Sequence, residues 1–140
     1  MYVLSERHLS PVQKAIQGAH ALVEYQLEHG DTDEYKQWSK NDKTLIVLDG
    51  GNYDDMENDI VTLKDLGYKL STFCEPDMNN MRTSYALIAD ERVWDKEKYP
   101  DIMMNDTILF VKTDDEICEM YGGKANCVLR GILREKRLAQ

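Results

Sequence analysis

The chain is short of several things, and each shortage excludes a class of function. It has no apolar run near the roughly 20 residues that a membrane-spanning helix needs. The opening "MYVLSERHLSP" lacks the apolar centre of a secretory signal, so the expected compartment is the cytoplasm. Cysteine is sparse and odd in number: Cys74, Cys118 and Cys127 form no C-x-x-C pair, which excludes a disulfide framework and predicts reduced, mostly buried thiols. His8, His20 and His29 are scattered without ligand spacing, so neither a metal nor a cofactor is expected. Gly50-Gly51 belongs to no G-x-G-x-x-G and no Walker lysine follows it, which removes the common phosphate loops. Positive charge is also scarce. With 17 Lys and Arg against 26 Asp and Glu the net charge is −9, and nucleic-acid affinity rests on neutralising phosphates. A tRNA partner is therefore disfavoured. The cations that exist are bunched: Lys124, Arg130, Arg134, Lys136 and Arg137 lie beside a single acid, Glu135. Such a cluster either complements the negative end of a helix or binds an acidic partner.

What remains is a chain of 140 residues with 42% hydrophobic side chains, enough for one ordinary domain with a core. Residues 2–5 read as a strand. In "LSPVQKAIQGAHALVEY", Ser10 at the N-cap, Pro11 at the first helical position and Gln13 two residues on mark a helix start. At 100° per residue, Val12, Ala15, Ile16, Ala19, Leu22, Val23 and Leu27 converge on one side, the expected core stripe. "KTLIVLDGGN" is a continuous apolar run and reads as a strand buried on both faces. A helix over 54–66 uses Met56, Ile60 and Leu63. "YKLSTFC" and "TSYALIA" are two further strands around the polar loop "EPDMNNMR". This order predicts an α/β domain with a mixed or parallel sheet covered on both sides. Beyond Asp90, "TILFVK" suggests an edge strand and "DDEICEMYGG" a short helix. "KANCVLRGILREKRLA" suggests a last helix weakened by Gly131, with Trp94 patching the core.

Two segments carry a family likeness. "YVLSERHLSPVQKAIQGAHALVEY", with its Q-x-x-H-A, and "FCEPDMNNMRTSYALI" resemble the peptidyl-tRNA hydrolase 2 superfamily, in the small bacterial and phage branch with an E-P-D loop. The likeness covers roughly residues 1–90. It implies a mixed four-stranded sheet with helices on both faces; residues 91–140, beyond the likeness, read as a helical extension of a single domain. It also places the site at the start of the first helix and in the loop between strands three and four. The better-studied branch begins this helix K-G-K-x-x-A-Q-x-x-H-A. Matched on Gln17 and His20, the two lysines fall on Pro11 and Gln13, and Lys14 is turned about 100° away. The loop aspartate falls on Glu75 or Asp77, and the strand-opening threonine on Thr83. Ester hydrolysis needs an oriented water, a proton acceptor and a donor for the oxyanion. Replacing a charged donor by a neutral amide costs roughly 3 kcal/mol, about a hundredfold in rate.

Each candidate has a bland reading beside the functional one. Gln13 closes a capping box or faces a ligand. Gln17 holds a ligand amide or water, or is a solvated helix residue. His20 is oriented by Glu24 one turn on and assists catalysis, or packs structurally on a strand. Glu75 and Asp77 straddle Pro76 and either split their pKa values to make a base or form a polar turn. Asn79 suits binding or the turn, and Thr83 enters the cleft or begins a strand. On this reading the chain is a binding or regulatory protein for an unknown protein or small ligand. The alternative is an esterase acting on peptidyl-tRNA or a similar conjugate, with Glu75, Asp77 and His20 catalytic and Gln13, Gln17, Asn79 and Thr83 binding.

Overall fold

A computed structural model describes residues 1–101 and 114–139. Two compact units are present, one formed by Met1–Ile88 together with the residues from Lys136 onward, the other by Ala89–Glu135. The segment "TILFVK" lies outside the described residues.

The first unit is α/β, with a mixed four-stranded sheet. Strands β1 (Tyr2–Ser5), β2 (Ile46–Asp49), β3 (Leu70–Glu75) and β4 (Met81–Leu87) lie in the order β2-β1-β4-β3. β1 runs parallel to β2 and antiparallel to β4, and β3 is antiparallel to β4. Parallel pairing demands a crossover, which α1 (Pro11–His29) and α2 (Asp33–Gln37) supply. α3 (Tyr53–Asp65) connects β2 to β3. It buries Met56, Ile60 and Leu63 as its spacing predicts, and Asp59 on it accepts a hydrogen bond from the Tyr85 hydroxyl.

α1 starts as its sequence dictates. The Ser10 hydroxyl accepts from Gln13 N–H while the Gln13 side chain accepts from Ser10 N–H, a complete capping box. Its buried face, however, is not the apolar stripe. Val12, Ile16, Val23 and Leu27 are 69%, 49%, 50% and 74% exposed, whereas Lys14, Gln17, Gly18, Ala21 and Tyr25 are buried. The cause is fit. A Cβ at Gly18 would sit 2.6 Å from Val3 Cγ1, so only a glycine lets the helix approach the sheet this closely. The sheet there offers polar groups to match the helix: Ser5 Oγ donates to Lys14 O at 2.9 Å, and Ser84 Oγ donates to Gln17 O at 2.6 Å. Apolar packing on this side involves Met1, Val3, Ala21, Tyr25 and Ala86, with Tyr35, Trp38 and Phe73 against them.

A second expectation also fails. β2 lies at one end of the sheet order, and of its four residues only Leu48 is fully buried. Its apolar run signalled a strand correctly, but not one covered on both faces. The outer edge of β2 is closed by the C-terminal residues, for Asp49 N–H donates to Arg137 O, Ala139 N–H donates to Val47 O, and Leu48 bridges Leu138. This pairing removes a bare strand edge.

The second unit is described by itself. It contains α4 (Glu91–Trp94), α5 (Asp114–Met120) and α6 (Lys124–Glu135). Arg130, 7% exposed, holds it together. Its guanidinium donates to the Arg92 and Tyr99 carbonyls and to Asp101 Oδ1, and lies 4.1 Å from the Tyr121 ring centre. Lys136, in the first unit, is engaged by Asp59 and the Gly50 carbonyl. Two of the five clustered cations are therefore internal struts, while Lys124, Arg134 and Arg137 are exposed. Trp94 is 52% exposed and does not patch a core. The three thiols are in no disulfide and are half-buried, not enclosed.

Candidate functional site

The site region sits at the end of the sheet where β1 leaves for α1 and where β3 turns into β4. The β3–β4 register shifts between Phe73 and Cys74, passing from Phe73 opposite Ser84 to Cys74 opposite Arg82, so Thr83 is the extra residue of a bulge in β4. A bulge breaks the strict alternation of side chains and re-aims its neighbours. Thr83 and Ser84, consecutive residues, accordingly both reach α1: Thr83 Oγ1 donates to Gln17 Oε1 at 2.7 Å, and Ser84 bonds the Gln17 carbonyl. The Gln17 amide nitrogen in turn donates to Glu75 Oε2 at 2.6 Å. One glutamine thus ties the helix to the last residue of β3 and to β4, with both ends of its amide occupied.

The other predicted residues are placed differently. His20 stacks on Phe73, centroids 4.4 Å apart and planes 18° apart, and makes no ion pair with Glu24. Asp77 lies on an exposed 3-10 turn, Pro76–Met78. Asn79 and Asn80 close that turn in the left-handed region, φ 59° and 55°, a conformation that asparagine tolerates better than most residues. Both are exposed. Gln13 faces solvent, and its side-chain oxygen is taken by the cap. Gln17, Glu75 and Thr83 are brought together, with His20 one helical turn along; Asp77, Asn79 and Gln13 are not part of that link.

Residues that the sequence argument did not place in the site complete the region. Lys14, turned away from the expected lysine positions, is buried on the sheet side of α1 and bonds Asp49 Oδ2 at 3.2 Å. Burial works to raise the Asp49 carboxyl, but the Gly51 N–H, Lys14 and Arg7 outweigh it and hold it below its ordinary value. The spacing of Lys14 to Gln17, i to i+3, was the available signal that both share a face. Glu6, 4% exposed, accepts from His8 N–H at 2.7 Å, and its own N–H donates to Thr83 O. It lines a cavity of about 360 Å³ with His8 and Leu9, with Asn52, Tyr53 and Asp54 at the start of α3, and with Met78 and Met81 at the β3–β4 turn. The ionisable wall is mainly acidic. Among the described residues no group of three or more His, Cys, Asp or Glu side chains is placed to hold a metal ion, and no helix is long and apolar enough to cross a membrane.

No protein-family model matches the chain, and no curated protein matches it either.

Proposed function

We propose that the chain is a binding or regulatory protein built on a peptidyl-tRNA hydrolase 2-like sheet, whose cleft takes a ligand and does not hydrolyse an ester. One observation carries this reading: both ends of the buried Gln17 amide are bonded, to Glu75 and Thr83, so the group that would orient water or substrate acts as a strut. Lys14, the one lysine of α1, is closed off against Asp49 and faces the sheet, so it does not supply the cationic oxyanion donor that the resemblance implies. The neighbouring cavity has the wrong sign for tRNA. Glu6 and Asp54 beside Tyr53, Met78 and Met81 suit a cationic head on an apolar body, such as an aliphatic amine or a lysine side chain of a protein partner.

A working esterase is the second reading. Its support is the other Glu75 oxygen, which takes no hydrogen bond among the described residues and would be positioned to accept a proton from water.

Two measurements separate the readings. Purified peptidyl-tRNA should survive incubation with the protein at the uncatalysed rate, and turnover abolished by Glu75→Gln would replace the binding reading with the catalytic one. In a titration followed by methyl NMR, n-butylamine should shift the Met78 and Met81 resonances, and butyrate should not. Equal silence toward both would remove the cavity from the proposal.

A further inference from the structure

We propose that His8 gates the amine site: its imidazolium occupies the Glu6 carboxylate, so a cationic ligand enters only when the ring is neutral. The inference rests on the reading of the cavity as an amine site and adds the control exerted on that site.

The seat is fixed from several sides. Glu6 directly follows β1, and its N–H donates to Thr83 O at 2.9 Å. The Arg7 N–H donates to Gly51 O at 2.8 Å, and the His8 N–H donates to Glu6 Oε2 at 2.7 Å. The turn therefore holds its own carboxylate, whose side chain is 6% exposed. Glu6 Oε1 accepts no hydrogen bond among the described residues, and His8 Nε2 stands 3.9 Å from it. The His8 side chain is 80% exposed. One partner is anchored in the cavity wall, and the other reaches it from solvent, as a displaceable group must.

The surrounding charges leave the control to this ring. Among the described residues His8 is the one basic side chain that lines the cavity. Arg7, next in sequence, is turned to Asp49 at 3.5 Å. The start of α3 contributes Tyr53 and Asp54, while Asp55 accepts from Asn52 N–H. The β3–β4 turn contributes Met78 and Met81, with exposed Asp77 before them and Arg82 after them engaged by Glu57. Imidazole is the side chain that changes charge between about pH 5 and 8. Neutral, His8 leaves a buried carboxylate without a cation, an unfavourable state that a ligand ammonium relieves. Protonated, it supplies that cation itself, and a second one meets like charge.

Competition for one carboxylate sets the magnitude. Two pH units across an imidazole titration change the neutral fraction about tenfold, and the apparent Kd follows that fraction. The coupling is reciprocal, so amine at about ten times its Kd should move the His8 titration about one pH unit lower.

The test is an n-butylamine titration of the full chain at about pH 7.5 and about pH 5.5, where an alkylammonium stays charged. The Met78 and Met81 methyl resonances report binding, and the His8 ring resonances report its titration. Wild-type protein should bind about tenfold more weakly at the lower pH. His8→Gln, with both carboxylates kept and no ring to charge, should show a ratio below about twofold whatever its absolute affinity. His8→Lys, charged throughout, should bind weakly at both values. Equal wild-type affinity at the two values, a tenfold ratio retained in His8→Gln, or a His8 titration unmoved by amine would each overturn the gate and leave the amine site in place. Absence of binding by wild type and His8→Gln at both values would overturn the amine site and the gate together.

Discussion

Replacing Gln17 by alanine tests how the β3–β4 turn is fastened to α1. The side chain is 7% exposed and bonds Glu75 at 2.6 Å and Thr83 at 2.7 Å. A hydrogen bond to a charged group contributes about 1.5–3 kcal/mol, and half-buried Glu75 recovers some solvation, so the lower end applies. Thr83 is fully buried, and without Gln17 its hydroxyl retains only the Phe73 carbonyl at 3.5 Å. A buried donor left without a good partner costs about 1–3 kcal/mol. Together the expected loss is about 3 kcal/mol. With a urea slope near 1.5 kcal/mol/M this lowers the unfolding midpoint by about 2 M. Trp38 reports on the first unit, and Trp94→Phe removes the reporter of the second, so fluorescence follows the relevant unit alone. Adding Thr83→Val should cost less than the sum of the two single changes by about 1 kcal/mol, because the partners share one bond. A midpoint shift below about 0.3 M, or full additivity, would refute the strut.

Further outcomes follow from the same contacts. Lys14→Met removes the buried partner of Asp49 and should cost about 3 kcal/mol by chemical unfolding, the low end for a broken buried pair because Arg7 and the Gly51 N–H still hold the carboxylate. The sign of the pH effect is fixed by the lowered Asp49 pKa. Its stabilisation is complete above the ordinary 3.8 and is lost as pH falls through the lower folded value, so acid unfolding of Lys14→Met should begin at higher pH than wild type. Gly18→Ala drives a Cβ into Val3 and should cost about 1–3 kcal/mol, with recovery on adding Val3→Ala. Gly131→Ala, where an added Cβ would meet no described atom within 4 Å beyond its own helix backbone and neighbours, should instead stabilise α6 by up to about 1 kcal/mol. Arg130→Lys keeps the charge but loses the fork that spans two carbonyls and Asp101. Hydrogen exchange should rise across residues 89–101 and 124–135 while residues 1–88 keep their protection, and uniform protection everywhere would contradict the strut role.

Local chemistry determined what local chemistry can. The Ser10–Pro11–Gln13 signature started α1 in place, Met56, Ile60 and Leu63 were buried at their helical spacing, and the first four strands and the polar turn after Glu75 fell near where pattern put them. Side-chain facing on α1 was decided otherwise. Periodicity reports that a helix has an apolar side but not which side meets the sheet. Here close approach through Gly18, and polar groups on β1 and β4 that need partners, outweighed the hydrophobic stripe. The apolar run of β2 likewise could not reveal an edge position, because its cover comes from residues about ninety positions later in the chain. The Gln17–Glu75–Thr83 link joins residues 58 and 66 positions apart, and the aim of Thr83 depends on its being the extra residue in the pairing of β4 with β3. Such long-range contacts leave no periodic trace in the sequence, so only the folded chain decides them.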